Sequence, residues 1–276
     1  MNALEIHGLT KRRGDFVLRG LELTLPAGCI MGLIGENGAG KSTTIRLILN
    51  GLRRDGGTIA VYGKDNRAMT ALDREDIGVV LDEVGLPEYM NAQQIGRMMA
   101  GIFTHWQPEA YAGYLRRLAL PEDKPFRDFS RGMKMKLGLA AALSHQPKLL
   151  LLDEATSGLD PVVRDEILTI FADFTRDEEH AVLLSSHIVS DLEKICDYIA
   201  FLHKGLLLLC EEKDRLTETY GILRGGAEDI DPAAVCGRHT TPYATEYLVR
   251  RDAVPVGMAL GQVNIEDLFV FMAKEV

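Results

Sequence analysis

The sequence has no CxxC pair, no excess of basic residues, no long apolar run and no internal repeat, and each absence removes a class of protein. Its four cysteines, Cys29, Cys196, Cys210 and Cys236, are irregularly spaced. They are expected to be reduced, mostly structural thiols, with neither a metal framework nor a disulfide scaffold. Net charge is −9 and the acids are scattered, so no basic field is available to hold a nucleic-acid backbone. The longest apolar runs, such as LLLLC at 206–210, fall far short of the roughly 20 residues that span a bilayer. The opening MNALEIHGLT lacks a basic start followed by an apolar stretch, so no secretory signal is expected.

What is present is a globular pattern. The 276 residues are 46% hydrophobic and 26% charged, enough to bury a substantial core. Short strand-like runs come first: ALEIHGL, DFVLRGLELTL, CIMGLIG and GTIAVYG. KSTTIRLILNGL then takes helical periodicity, and IGVVL at 77–81 reads as a buried strand. MNAQQIGRMMAGIF, EAYAGYLRRLAL and RGMKMKLGLAAALSHQ are helical, punctuated by Pro108, Pro121 and Pro125. Two strand-then-helix units follow, KLLLLDE into PVVRDEILTIFADFTRD and AVLLSSH into VSDLEKICDYI. This order predicts an α/β core with a parallel sheet and a mostly helical insertion at 85–142. Residues 213–276 differ in texture, with a Gly-Gly pair, short β-like pieces such as YLVRR and a closing amphipathic helix NIEDLFVFMAKE.

GENGAGKS at 35–42 has the spacing of a phosphate loop. Gly35, Gly38 and Gly40 let successive N–H groups, through Asn37 and Ala39, converge on phosphate oxygens. The following helix, entered through Thr43, points its N-terminus at the same anion. Lys41 adds a full charge at the β and γ phosphates, and the Ser42 hydroxyl can ligate Mg²⁺. A chance match in a glycine-rich turn is the bland alternative, and the flanking strand and helix argue against it.

KLLLLDE ends a continuously apolar run on two acids, the mark of a strand buried on both faces. Asp153 at its tip can hold Mg²⁺, while Glu154 can orient or deprotonate an attacking water, or cap a following helix. Asp160 before Pro161 is a good N-cap, and can also belong to a functional loop. His187 follows AVLLSS at another strand end, where ligands collect in open α/β sheets. IGVVLDE brings Asp82 to a comparable place. At the start of RGMKMKLGLAAALSHQ, the cations Arg131, Lys134 and Lys136 crowd a helix N-terminus where acids would be favourable.

GENGAGKS, FSRGM, LLLLDE, SGLD and SSH, in that order over roughly residues 3–212, resemble the ATP-binding-cassette (ABC) transporter ATPases. The closer likeness is to ATPase subunits of bacterial exporters of antibiotic-resistance and immunity type. The resemblance implies a P-loop NTPase core at 1–212 with a parallel sheet, an N-terminal antiparallel β subdomain and the helical insertion, then a small α+β extension at 213–276. It also implies ATP and Mg²⁺, and a head-to-tail pair of nucleotide-binding subunits, identical or different, that sandwich nucleotide and drive separate membrane subunits. Such a chain would lie on the cytoplasmic face of the cell membrane.

By position, the resemblance makes Glu154 the catalytic base and His187 the switch histidine, with Lys41 on the phosphates. Ser130, Arg131, Gly132 and Met133, together with Asp160, would contact nucleotide held by the partner subunit. Three positions depart from the family pattern. Arg131 replaces a glycine, Asp82 replaces the glutamine that ligates Mg²⁺, and Arg13 replaces the aromatic that stacks on adenine. Either Arg13 or Phe16 is then left to hold the base, with weaker discrimination between ATP and GTP. Two other readings compete: a catalytically weak regulatory cassette, and a soluble ABC protein outside transport.

Overall fold

The computed structural model describes residues 1–225, 230–240, 244–255 and 257–274. The chain opens as a long hairpin. β1 (Asn2–Arg13) and β2 (Phe16–Pro26) pair antiparallel around Gly14, whose φ of +58° suits a residue without a Cβ. After β3 (Ile30–Ile34) and α1 (Lys41–Ile48), β4 (Gly56–Val61) returns to the free edge of β1, and the short β5 (Lys64–Asp65) completes a four-stranded antiparallel sheet.

β3 itself belongs to a second sheet, with β6 (Ile77–Val80), β7 (Leu149–Asp153), β8 (Ala181–Ser186), β9 (Tyr198–His203) and β10 (Leu206–Glu212). The order is β10-β9-β3-β8-β7-β6, parallel throughout except for the β9–β10 hairpin. Alternation of side chains divides the apolar runs between two layers. Along one row, Tyr198, Met31, Leu183, Leu151 and Val79 face the antiparallel sheet and α1. In the next row, Ile199, Leu184, Leu152 and Val80 face the helices. Both faces are buried, which is why these strands read as unbroken apolar runs. Truncating one such leucine to alanine costs about 2–5 kcal/mol.

The helices follow from their caps. α2 (Ala71–Arg74) and α3 (Ala92–Ala100) each start on a capping box, Thr70 with Asp73 and Asn91 with Gln94. Pro108 and Pro161 occupy the first turns of α4 (Pro108–Arg117) and α6 (Pro161–Phe174), where a missing N–H does no harm. Between β6 and β7 the chain runs through α3, α4 and α5 (Arg131–Leu143). α7 (Val189–Ile195) is shorter than VSDLEKICDYI predicts: Cys196 is extended, the Asp197 carboxylate accepts the Ile30 N–H at 2.8 Å, and Tyr198 already belongs to β9. Tertiary pairing overrides local helical pattern here.

The C-terminal part comprises α8 (Lys213–Thr219), β11 (Tyr220–Arg224), β12 (Val235–Thr240), β13 (Thr245–Arg250) and α9 (Ile265–Lys274), with sheet order β11-β13-β12. Gly226 of the Gly-Gly pair and Glu275 of the expected last helix lie outside the described residues. α9 packs on the core: Phe269 meets Phe201 at 5.3 Å between ring centroids, and the Ile265 N–H donates to Glu193 Oε1 at 2.8 Å. Among the described residues no helix is long and apolar enough to cross a membrane.

Candidate nucleotide site

Five parallel strands end on one edge, and four of them deliver the polar groups expected there. The loop after β3 carries Gly35 to Ser42. Gly38 and Gly40 have φ of +86° and +115°, conformations that a side chain disfavours. A Cβ on Gly40 would sit 2.8 Å from Cζ of Phe16, so that ring lies directly on the loop. Ala39 is fully buried, and its carbonyl accepts the Gly205 N–H, tying the loop to the β9–β10 turn. α1 begins at Gly40 with no side-chain cap and no acid in its first turn, so its leading N–H groups face an adjoining cavity of about 360 Å³. Arg13, Phe16, Asn37, Ser42, Thr43 and Asp82 line the same space.

Lys41 is only 5% exposed. Its ammonium donates to Gly35 O at 2.7 Å and Glu36 O at 3.4 Å, and lies 3.1 Å from Glu154 Oε1. The other Glu154 oxygen is 2.6 Å from His187 Nδ1. One carboxylate therefore joins the loop lysine to the strand-end histidine. Glu154 holds this position with φ of +54°, an uncommon conformation for a side chain of its size, fixed by its N–H donating to Ser185 O at 3.1 Å. Asp153 is buried, and its Oδ1 accepts the Ser185 hydroxyl at 2.6 Å.

Ser185 was not singled out from the sequence, although a serine in an otherwise apolar buried strand is a visible signal. Nor was the pair formed by buried His203, at the end of β9, with Glu36 of the loop, 2.8 Å apart. Nothing local in the sequence marks that one. The four cysteines are free thiols, and burial raises the pKa of each.

The FSRGM segment lies elsewhere. Ser130 caps α5 by accepting the Met133 N–H at 3.3 Å, and Asp160 caps α6 through the Val162 and Val163 N–H groups. Ser130, Gly132, Met133 and Asp160 border a separate cavity of about 430 Å³, which shares no lining residue with the nucleotide cavity. The three crowded cations all find partners within the chain. Arg131 Nη2 donates to Asp82 Oδ1 at 2.5 Å, Lys134 stands 5.1 Å from the centre of the Phe126 ring, and Lys136 pairs with Glu166 at 2.8 Å. Arg131 is thus held by its own subunit in this structure, where the sequence suggested a partner's phosphate.

Residues 18–157 match the family model described as ABC transporter. The bacitracin transport ATP-binding protein BcrA of Enterococcus faecalis is 29% identical over 95% of this chain and 87% of its own length. The lantibiotic transport ATP-binding protein SrtF of Streptococcus pyogenes is 32% identical over 76% and 91%. Among solved structures, an ATP-binding subunit of an ABC transporter superposes with a TM-score of 0.72 at 25% identity, covering 78% of this chain and 92% of that one. A dimeric ATP-binding cassette bound to ADP and Pi shares the fold, with a TM-score of 0.68 at 18% identity over 76% and 98%.

The chain belongs to the ABC transporter family, as an ATP-binding, ATP-hydrolysing subunit. The transport reading therefore stands over the regulatory and non-transport alternatives. ATP with Mg²⁺ is this family's nucleotide, and the residues fit it. An uncapped helix start and a buried ammonium suit a polyphosphate, and the Ser42 hydroxyl and Asp153 carboxylate are hard oxygen donors of the kind Mg²⁺ takes.

Proposed function

We propose that residues 1–212 form a nucleotide-binding domain, with 85–142 as its helical subdomain and 213–276 as an extension, working as half of a dimer that powers an exporter. Lys41 and the N–H groups of Gly38 to Thr43 hold the β and γ phosphates. Ser42 and Asp153, with Asp82 at the cavity wall, would hold Mg²⁺, which would neutralise phosphate charge. Glu154 orients and deprotonates the water that attacks in line, and His187 senses the γ phosphate. The supporting observation is the bridge that Glu154 makes between Lys41 and His187. A phosphate arriving at Lys41 displaces that carboxylate and leaves it beside the reacting group.

Ser130 to Met133 and Asp160 meet nucleotide held by a second subunit, because within one chain the two cavities are separate. Separate membrane subunits carry the transported molecule, and the chain sits on the cytoplasmic face of the membrane. The relatives named for bacitracin and lantibiotic transport favour a resistance or immunity exporter. Glu154→Gln tests the reading. Steady-state hydrolysis should fall by about 10²–10⁴, the worth of a general base, with ATP affinity within a few-fold of the parent. An unchanged rate would remove Glu154 from the role of base.

A further inference from the structure

Asp82 and Arg131 are two of the three departures from the motif pattern, and they are bonded to each other across 49 positions of sequence. Asp82 lines the nucleotide cavity, Arg131 lines the cavity at the start of α5, and both line a third cavity of about 690 Å³, so this ion pair stands where the two half-sites meet. The guanidinium also lies over Gly158, where a Cβ would approach Nη1 to 3.2 Å. It therefore spans the exit of β6, the start of α5 and the turn that carries Asp160. Each partner side chain is 51% exposed, so a stronger anion can compete for the arginine. A terminal phosphate, with more charge and three acceptor oxygens, is such an anion.

We propose that the Asp82–Arg131 pair is a latch that keeps the signature cation on its own subunit until nucleotide is presented by the other. Closing the shared site then means exchanging Asp82 for the γ phosphate across the interface. The exchange frees Asp82 to face its own nucleotide cavity and unties the turn before Asp160. In this way each subunit's nucleotide site is coupled to its partner-facing surface. The latch rests on the shared-site reading given above.

The test is a double-mutant cycle in a Glu154→Gln chain, with dimer formation followed by light scattering against Mg²⁺-ATP concentration. Asp82→Asn should lower the ATP concentration for half-maximal dimerisation by about tenfold, since two exposed pairs no longer have to be broken. Arg131→Gln should raise it, and in that background Asp82→Asn should add nothing. The same factor with and without Arg131 would overturn the latch, because Asp82 would then act only within its own nucleotide site. If none of the four chains dimerises, the shared-site reading fails, and the pair is judged in the monomer by hydrogen exchange at residues 130–134. Each single substitution should speed that exchange and the double no further; additive effects would overturn the latch there as well.

Discussion

Two helix starts carry glycine near their first turn, and they are finished in opposite ways. α1 begins at Gly40 with no cap and no acid, beside an ammonium with only backbone carbonyls and one carboxylate for company. α5 begins at Ser130, whose hydroxyl already serves the Met133 N–H, and its leading cation is bonded to Asp82. The first start is unsatisfied and binds whatever anion brings enough oxygens. The second is satisfied within the chain and can take an anion only by giving something up. On the proposed function, affinity for nucleotide belongs to one face, and control over when that nucleotide is used belongs to the other.

Ser130→Arg should separate the two faces most sharply. A bulky cation at the α5 start should take hydrolysis to background, a loss of more than about a hundredfold, while nucleotide affinity measured by titration calorimetry stays within about twofold. Parallel losses in both quantities would erase the distinction. Asp160→Ala has a smaller expected effect. Removing the α6 cap should cost about 1 kcal/mol and lower Tm by about 2–4 °C, with Asp160→Asn retaining most of the stability. If Asp160→Asn keeps the Tm but loses turnover, Asp160 belongs to the partner-facing surface as well as to the helix.

The smallest effect concerns the far end of α5. His145 stacks on Phe103 at 4.0 Å with Nδ1 3.0 Å from Glu75 O, and burial lowers its pKa. A folded-state pKa below the ordinary value of about 6.5 means that the neutral ring stabilises the fold above that pH, and that this contribution is lost as pH falls below it. Tm should therefore drop slightly on acidification from pH 7 toward 5.5, and the drop should shrink in His145→Gln. A pH dependence identical in the two chains would show that the anchor of α5 does not titrate.

How much of this was legible in the sequence follows from distance along the chain. The 35–42 loop is contiguous, and its residue types state its chemistry. The Asp153–Glu154 tip was legible because an apolar run on both faces identifies a buried parallel strand. Strand ends sharing one edge followed from the alternation of strands and helices. The interactions that tune these groups were not legible: Ser185 with Asp153, His203 with Glu36 and Arg131 with Asp82 join segments that only folding brings together. The left-handed backbone at Glu154 is likewise imposed by the neighbouring strand, since nothing in its residue type asks for it. The partners of the three cations at the start of α5, Asp82, the Phe126 ring and Glu166, are likewise distant in sequence or hidden by it.

The placement of β6 beside β7 has a mechanical consequence. The chain leaves the sheet after Val80 and re-enters it at Leu149, and these two strands are paired neighbours. The covalent connections of everything between them are two points one strand spacing apart, like the hinges of a door. Turning that segment about this line leaves the β6–β7 pairing intact, and what opposes it is the contact of α5 with the core and the Lys136–Glu166 ion pair. Asp82 stands just past one hinge, and its bond to Arg131 ties the start of α5 to that hinge.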